Sequence, residues 1–274
     1  MRLENFVDSN NYNYKNWNTN ISLKKLINSH EWDDFFDNYL DPKILKSIEK
    51  NLKTIIKEGD TVYPPPKLLF NSINTTTLKN IRVVFVGQDP YPGECKSTKI
   101  PYAMGMSFSV PHGCDTPASL KNIYKNMKKF KHIKNMPKSG NLIGWALQGC
   151  LFYNTTLTVT KGKSNSHSKI WKEFSRKFIE YLSLKKNNII FVAWGNYAID
   201  ILKNVDRKKH SVLKCSHPSP LSFNKSVNRL EDGKNIIIDS FERFDTFGKI
   251  NEQLIKYGKN PIIWDVLDLT SSTL

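Results

Sequence analysis

The sequence predicts an α/β fold in which helices cover both faces of a mainly parallel sheet. Four short runs rich in apolar and β-branched residues are typical of buried parallel strands: residues 81–87, 150–154, 188–195 and 211–215. Helical periodicity lies between them, in residues 119–130, 170–184 and 196–203. Strands that alternate with helices indicate a parallel sheet, so this order predicts the fold class.

Composition and periodicity predict the segments outside this alternating core. Residues 1–20 are polar and rich in Asn, which predicts a flexible lead-in. Residues 23–56 have helical periodicity, and the three prolines at 64–66 end any helix. Residues 223–245 are polar and irregular, and we expect an insertion there. It could add DNA contacts or bind a partner, but it is best interpreted as a solvated loop.

The charge balance points to a polyanionic partner. The chain of 274 residues has 41 Lys and Arg against 25 Asp and Glu, a formal net charge of +16. Such a field favours nucleic acid first and an anionic membrane second. The alternative is that many lysines only keep the protein soluble.

The sequence excludes several other classes. It has no run of 18 apolar residues that could span a membrane, and its start lacks the apolar stretch of a signal peptide. Cys95, Cys114, Cys150 and Cys215 are far apart, which indicates free thiols in a reducing compartment, so we expect an intracellular protein. Neither the cysteines nor the scattered His residues predict a metal site.

Polar side chains follow the predicted strands at their carboxyl ends. Gln88, Asp89 and Tyr91 follow the first strand, Asn154 ends the second, and His217 follows the fourth. Ligands of parallel α/β sheets bind at this edge. A carboxylate, an amide, an aromatic ring and an imidazole at one edge could recognise a small polar ring and activate water.

Several motifs resemble those of the family-1 uracil-DNA glycosylases. The Gly-Gln-Asp-Pro-Tyr sequence at 87–91 resembles their water-activating loop, and His-Pro-Ser-Pro-Leu-Ser at 217–222 resembles their DNA-intercalation loop. Residues 105–110 and 145–159 are similar to the segments that carry the uracil-stacking Phe and the uracil-reading Asn. Shorter matches occur at 166–171, 194–195 and 261–264. Together they extend from about residue 23 to residue 267.

This resemblance implies a fold and a reaction. The fold is one domain over residues 21–274, a central four-stranded parallel sheet flanked by helices, with the insertion at about 223–245. The reaction is flipping of uracil from single- or double-stranded DNA and hydrolysis of its N-glycosidic bond, which starts base excision repair. It requires no cofactor and no metal.

The resemblance also assigns the catalytic residues. Asp89 is expected to be ionised, to orient the attacking water and to stabilise the positive sugar. His217 is expected to donate a hydrogen bond, as a neutral imidazole, to uracil O2 as negative charge builds there. Their ordinary structural roles would be a turn-capping Asp and a hydrogen-bonded surface His.

Four residues are expected to bind uracil. Phe108 would stack on the base, and the Asn154 amide would pair with O4 and N3–H. Tyr91 would occupy the space of a thymine methyl group, and Gln88 would line the pocket. Outside such a pattern, a Phe is more often a core residue and an Asn at a strand end more often a turn residue.

The remaining assignments concern DNA and other partners. Ser119, Ser219 and Ser222 are expected to hold backbone phosphates, and Leu221 to wedge into the base stack. Leu221 alone would be better interpreted as a core cap. The resemblance further implies a monomer that binds uracil-containing DNA, with replication or repair proteins and a proteinaceous glycosylase inhibitor as candidate partners and no membrane.

The chain departs from the family pattern at several positions. Pro92 replaces the usual His after the Tyr, Met104 stands where a His is common, and the loop at 93–104 is longer. The Pro-rich loop before Ser119 is shortened to Thr-Pro-Ala at 116–118. These changes affect the expected loop mobility and rate but leave Asp89 and Tyr91 in place.

Three other functions would explain part of the sequence. A DNA-binding accessory factor without catalysis has no need of Asp89, Asn154 and His217 together. A glycosylase branch that acts on mismatched thymine or damaged bases usually lacks the Asp and the Tyr of the first motif. A structural protein with a polyanion-binding surface would explain the charge but not the ordered motifs.

Overall fold

The computed structural model describes residue 12, residues 14–231 and residues 233–265. Its strands fall into one four-stranded sheet and two short pairs. In chain order they are β1 (Val62–Tyr63), β2 (Val83–Gly87), β3 (Cys150–Asn154), β4 (Val159–Thr160), β5 (Ile190–Trp194), β6 (Ser211–Cys215), β7 (Val227–Glu231) and β8 (Lys234–Ile238).

The central sheet has the strand order β3-β2-β5-β6 and every neighbouring pair is parallel. Val83 of β2 is in register with Cys150 of β3 and Ile190 of β5, and Ile190 with Ser211 of β6. All carboxyl ends therefore meet at one edge. The predicted four-stranded parallel sheet is confirmed, and two of its strands have the predicted bounds.

Helices surround this sheet. They are α1 (Pro42–Lys57), α2 (Asn71–Thr75), α3 (Ala118–Lys129), α4 (Ile143–Ala146), α5 (Ser168–Lys185), α6 (Asn196–Ile201) and α7 (Thr246–Lys256). The segment 23–56 is not one helix, because two 3₁₀ turns and a π-helix (Asp34–Tyr39) precede α1. Asp41 explains where α1 begins, since its carboxylate accepts from the Lys43 N–H at 2.8 Å and Pro42 follows it.

Alternating side chains of the strands build two hydrophobic cores. Val84 and Val86 of β2 face the core that contains residues of α1 and α5. Val83 and Phe85 face the core that contains residues of α3 and α7. Since both faces of β2 are buried, its continuous apolar run has a direct physical cause.

The segment 223–245 is not an irregular loop. Strands β7 and β8 form an antiparallel hairpin with Val227 opposite Ile238. The prediction of a solvated loop was wrong because inward positions alternate with outward ones in this polar sequence. Inward-facing Arg229 pairs with Asp200 at 2.6 Å, and Glu231 pairs with Lys214.

The lead-in can be followed only in part, since residues 1–11 and 13 lie outside the described residues. Its described part packs on the domain. The indole of Trp17 donates to the Pro64 carbonyl at 2.7 Å, and Tyr12 packs against the core beside α3. Among the helices described, none has the length and apolar character needed to cross a membrane.

Candidate active site

A pocket of about 180 Å³ opens at the carboxyl ends of β2 and β3. Seven of the predicted site residues line it: Gln88, Asp89, Tyr91, Phe108, Ser119, Asn154 and His217. Three others, Ser219, Leu221 and Ser222, follow His217 on the adjoining loop. These residues are far apart in the sequence, and the sheet topology brings them together.

The Asp89 carboxylate is held in place by a neighbouring turn. Ser164 Oγ donates to Asp89 Oδ2 at 2.8 Å, and the Asn165 N–H donates to the same oxygen at 2.6 Å. Because both bonds go to Oδ2, the other oxygen is the one with which the carboxylate can orient a water molecule. Neither Ser164 nor Asn165 was predicted as a site residue, because no local sequence signal links them to Asp89.

The backbone of the loop after β2 is tied to the segment after β3. The Thr156 N–H donates to the Gln88 carbonyl at 2.8 Å, and Thr155 Oγ1 donates to it at 3.1 Å. The Thr155 N–H donates to the Gly87 carbonyl at 3.0 Å. These bonds extend the β2–β3 pairing by two residues and fix the loop that carries Asp89.

Asn154 lies at the pocket floor beside Gly87. Its side chain is buried, and it is the register partner of Gly87 across the sheet. A Cβ atom at position 87 would lie 2.4 Å from Asn154 Oδ1 and 2.6 Å from Ser107 Cβ. A glycine at position 87 therefore leaves room for the Asn154 amide. The need for this space explains Gly87 better than a turn requirement does.

Phe108 forms a wall in a strained conformation. Its φ is +63°, which a bulky residue rarely adopts, and its ring is buried. The ring packs edge-on against Trp194, with 5.2 Å between centroids, and lies 6.0 Å from the His217 ring. Such strain persists where the surroundings enforce it and is common at ligand sites.

Tyr91 is fixed from two sides. Its hydroxyl donates to the Phe108 carbonyl at 3.2 Å, and burial raises the pKa of this hydroxyl. Its ring packs edge-on against Tyr102, which belongs to the longer loop and donates to Asp115 at 2.6 Å. The longer loop thus supports the ring of Tyr91.

His217 has a defined tautomer. The Ser219 N–H donates to Nδ1 at 3.0 Å, so Nδ1 is the acceptor and Nε2 carries the proton of the neutral ring. Burial lowers the pKa of His217 to about 4, because the charged form loses hydration. The ring is therefore a neutral donor near pH 7.

We expect the contribution of His217 to the rate to be constant from about pH 9 down to about pH 5.5. It should fall as the pH approaches 4, since protonation of Nδ1 breaks the bond from Ser219. The measurement is the ratio of kcat for the unmodified protein to that of His217→Ala across this range. A ratio that changes with a midpoint near 6.5 would contradict the assignment.

The loop after His217 has a fixed base and an exposed tip. The buried Asn122 side chain on α3 donates to the Pro218 carbonyl at 2.9 Å, and Ser216 Oγ donates to the Ser222 carbonyl at 2.8 Å. Leu221, which lies between Pro218 and Ser222, is 79% exposed. An isolated core cap would be buried, so the exposure favours a contact with a partner.

Another histidine, His167, is buried and structural. Its ring nitrogens lie 2.8 Å from Thr158 Oγ1 and 3.0 Å from Thr160 Oγ1, and burial lowers its pKa to about 4. In the part of the chain that the structure describes, no three His, Cys, Asp or Glu residues are grouped as metal ligands, and the four cysteines are free and buried.

Comparison with known proteins decides the family. The model of the Uracil DNA glycosylase superfamily matches residues 74–241, which include every residue that lines the pocket. The chain belongs to this superfamily. The resemblance inferred from the motifs is thereby confirmed, and with it the reaction class, which is hydrolysis of the N-glycosyl bond of uracil in DNA at the start of base excision repair.

Uracil-DNA glycosylases of other organisms align with nearly the whole length of this chain. A probable uracil-DNA glycosylase of Acanthamoeba polyphaga mimivirus is 40% identical over 268 residues, which are 95% of this chain and 72% of the relative. The uracil-DNA glycosylase of Campylobacter lari is 37% identical over 90% of this chain and 98% of its own length. The crystal structure of mimivirus uracil-DNA glycosylase superposes with a TM-score of 0.89 at 39% identity, covering 97% of this chain and 100% of that one.

Proposed function

We propose that this chain extrudes uracil from DNA into the pocket and hydrolyses its glycosidic bond, with Asp89 and His217 as the catalytic residues. The observation that carries the proposal is the pocket itself. An oriented carboxylate, a neutral imidazole donor, a buried amide and a strained aromatic ring line one cavity at the carboxyl edge of the sheet.

The base would be held by its ring and its edge. Phe108 offers a flat face, and the Asn154 amide offers a donor for O4 and an acceptor for N3–H. Tyr91, fixed by its bond to the Phe108 carbonyl, would stand where a C5-methyl group would have to fit. Gln88, whose carbonyl is tied to Thr155 and Thr156, would complete the wall.

The chemistry breaks the bond between uracil N1 and the sugar C1′. The electron pair leaves with the uracil, whose O2 would receive a hydrogen bond from His217 Nε2–H, and the sugar becomes positively charged. Water oriented by Asp89 then adds to C1′ and gives its proton to the Asp89 carboxylate, from which it passes to solvent. The fixed charge of Asp89 and the dipole of His217 would stabilise the charges that develop on the sugar and the uracil. They need no reorganisation during the reaction.

DNA would be held mainly through its phosphates. Ser119, Ser219 and Ser222 can donate to backbone oxygens without reading sequence, and the exposed Leu221 would fill the space that the flipped nucleotide leaves. The net charge of +16 would add long-range attraction and a steep dependence on salt.

The partners follow from this assignment. We propose that the protein acts as a monomer on uracil-containing DNA inside the cell, alone or with replication and repair proteins. A variant of mimivirus UNG, 40% identical, has been solved in complex with UGI, at a TM-score of 0.92 over 95% of this chain. That complex supports a proteinaceous inhibitor as a further partner.

The test is uracil release from an oligonucleotide with one uracil, in the presence of a chelator. The abasic product is revealed by alkaline strand breakage, and oligonucleotides with thymine or cytosine at the same position are the controls. Release of uracil alone is expected. A protein that binds the oligonucleotide and releases nothing would instead be an accessory factor.

We expect Leu221→Ala to slow uracil release from duplex DNA by about tenfold or more, because no apolar group then replaces the lost stacking. Release from a short single strand should change by less than about threefold, since little stacking is lost there. The measurement is single-turnover rate on both substrates. Leu184→Ala, an exposed leucine on α5, is the control, and equal losses on both substrates would contradict a wedge role.

A further inference from the structure

A second cleft lies at the opposite edge of the sheet from the candidate active site. Its walls include Arg82, which precedes β2, and Asn187, which precedes β5. The active-site pocket is instead formed by residues at and beyond the carboxyl ends of β2 and β3. A five-residue strand spans about 16 Å, so one bound group cannot occupy both sites.

Half of the residues that line this back cleft are basic. The cleft has a volume of about 710 Å³ and opens to solvent. Among its ten described lining residues, none is Asp or Glu. Its cations are Lys79, Arg82, Lys185, Lys186 and Lys259.

Two of these cations form ion pairs with carboxylates. Lys79 Nζ lies 3.5 Å from Glu31 Oε1, and Lys185 Nζ lies 2.9 Å from Asp34 Oδ2. Because these pairs are largely exposed, they stabilise the fold little. The two carboxylates would therefore compete only weakly with an external anion for Lys79 and Lys185.

The three other cations bond to backbone carbonyls. Lys186 Nζ donates to the Lys79 carbonyl at 3.2 Å, and Lys259 Nζ donates to the Asn188 carbonyl at 2.7 Å. Arg82 Nη1 donates to the Asn260 carbonyl at 2.6 Å. Within residues 14–231 and 233–265, no carboxylate lies within ion-pair distance of these three groups. Each ammonium keeps further N–H donors for a ligand.

This cluster is unfavourable without an anion. Lys186 and Lys259 are half-buried, and burial lowers the pKa of both ammonium groups, while the charge of Glu31 opposes part of this shift at Lys186. The charges of Lys186 and Arg82 lower the pKa of Lys259 further. A bound anion would relieve the repulsion and replace the lost hydration of these groups.

We propose that the back cleft binds the phosphate backbone of nucleic acid as a second, non-catalytic DNA site. None of its described lining residues is aromatic, so no ring offers a stacking surface for a base. The side chains of Asn80 and Asn187 add polar groups to the cations, a combination that binds phosphates without reading sequence. A protein that holds one DNA segment at its pocket could thus hold another behind it.

The first experiment measures binding of a labelled oligothymidine of about 20 nucleotides by fluorescence anisotropy. An unlabelled duplex with a non-hydrolysable abasic analogue is added first to occupy the active site. The double variant Lys186→Gln/Lys259→Gln keeps hydrogen-bonding side chains and loses two charges. The matched control, Lys46→Gln/Lys50→Gln, loses two exposed charges from α1.

The unmodified protein and the control are expected to bind the labelled strand, and the double variant to bind it at least tenfold more weakly. The slope of log affinity against log salt should fall by about 1.4 for two lost phosphate contacts. Equal binding by both double variants would overturn the proposal.

A second measurement does not depend on the active site being blocked. Brief acetylation followed by mass spectrometry reports which lysines the oligothymidine protects. Protection of Lys186 and Lys259 but not of Lys46 and Lys50 is expected, and the absence of protection overturns the proposal. Tripolyphosphate is the parallel probe, because binding of tripolyphosphate without binding of the oligonucleotide would make this a site for free oligophosphates instead.

Uracil release separates this inference from the proposed function. The double variant should release uracil from a short single strand at the rate of the unmodified protein within about twofold, since its changed residues lie outside the pocket. An unmodified protein that releases no uracil would contradict the proposed function while leaving the protection result to decide the back cleft.

Discussion

Replacing Asp89 with Asn is expected to slow uracil release by about 10³-fold or more while DNA binding changes little. An Asn side chain has the same shape, and its oxygen can still accept from Ser164 Oγ and the Asn165 N–H. What is lost is the negative charge that stabilises the sugar cation and orients water. The measurement is single-turnover release from a single-stranded substrate at saturating protein.

The turn at 164–165 supplies the matched comparison. Ser164→Ala removes one bond to Asp89 Oδ2 and leaves its charge, so a loss of only about tenfold is expected. A loss in Ser164→Ala as large as in Asp89→Asn would show that orientation matters more than charge. An active Asp89→Asn protein would remove Asp89 from the mechanism.

Replacing Asn154 with Asp should reduce uracil release by about 10³-fold or more and lower the preference for uracil over cytosine. An ionised carboxylate has no N–H to donate to O4 and leaves that acceptor unpaired in a buried site. A protonated carboxyl group has a donor and an acceptor in an arrangement that suits cytosine. The measurement is the ratio of the release rates of the two bases from matched oligonucleotides.

The control for this substitution is Asn51→Asp, which makes the same change on the exposed face of α1. It should leave both rates unchanged within about twofold, because its amide is exposed and bonds to the Ser47 carbonyl within the same helix. If Asn154→Asp keeps the original uracil preference, Asn154 does not read the base edge.

The sheet and the pocket could be predicted because their determinants are local. Each strand of the central sheet is a short apolar run, and residues that follow such runs meet at one edge whatever their distance in the chain. Asp89, Asn154 and His217 were therefore expected together before any contact was known. The motifs then gave them roles, and those roles stay predictions until the variants are measured.

Features that depend on contacts between distant residues could not be predicted. Ser164 and Asn165 hold Asp89 from a turn 75 and 76 residues later, and nothing in their own sequence indicates this. The hairpin of β7 and β8 is hidden because ion pairs, rather than apolar residues, occupy part of its inward face. Helix α7 was missed because its apolar positions directly follow the segment interpreted as a loop.

The contact between Trp17 and Pro64 limits how the protein can be shortened. The indole reaches across 47 residues of sequence to the Pro64 carbonyl, and its ring packs on the same core as α1 and α5. A protease acting on the folded protein should therefore spare the backbone around this tryptophan. A recombinant form intended for crystallisation has to begin before Trp17 to keep this packing, although the surrounding sequence has the composition of a dispensable tail.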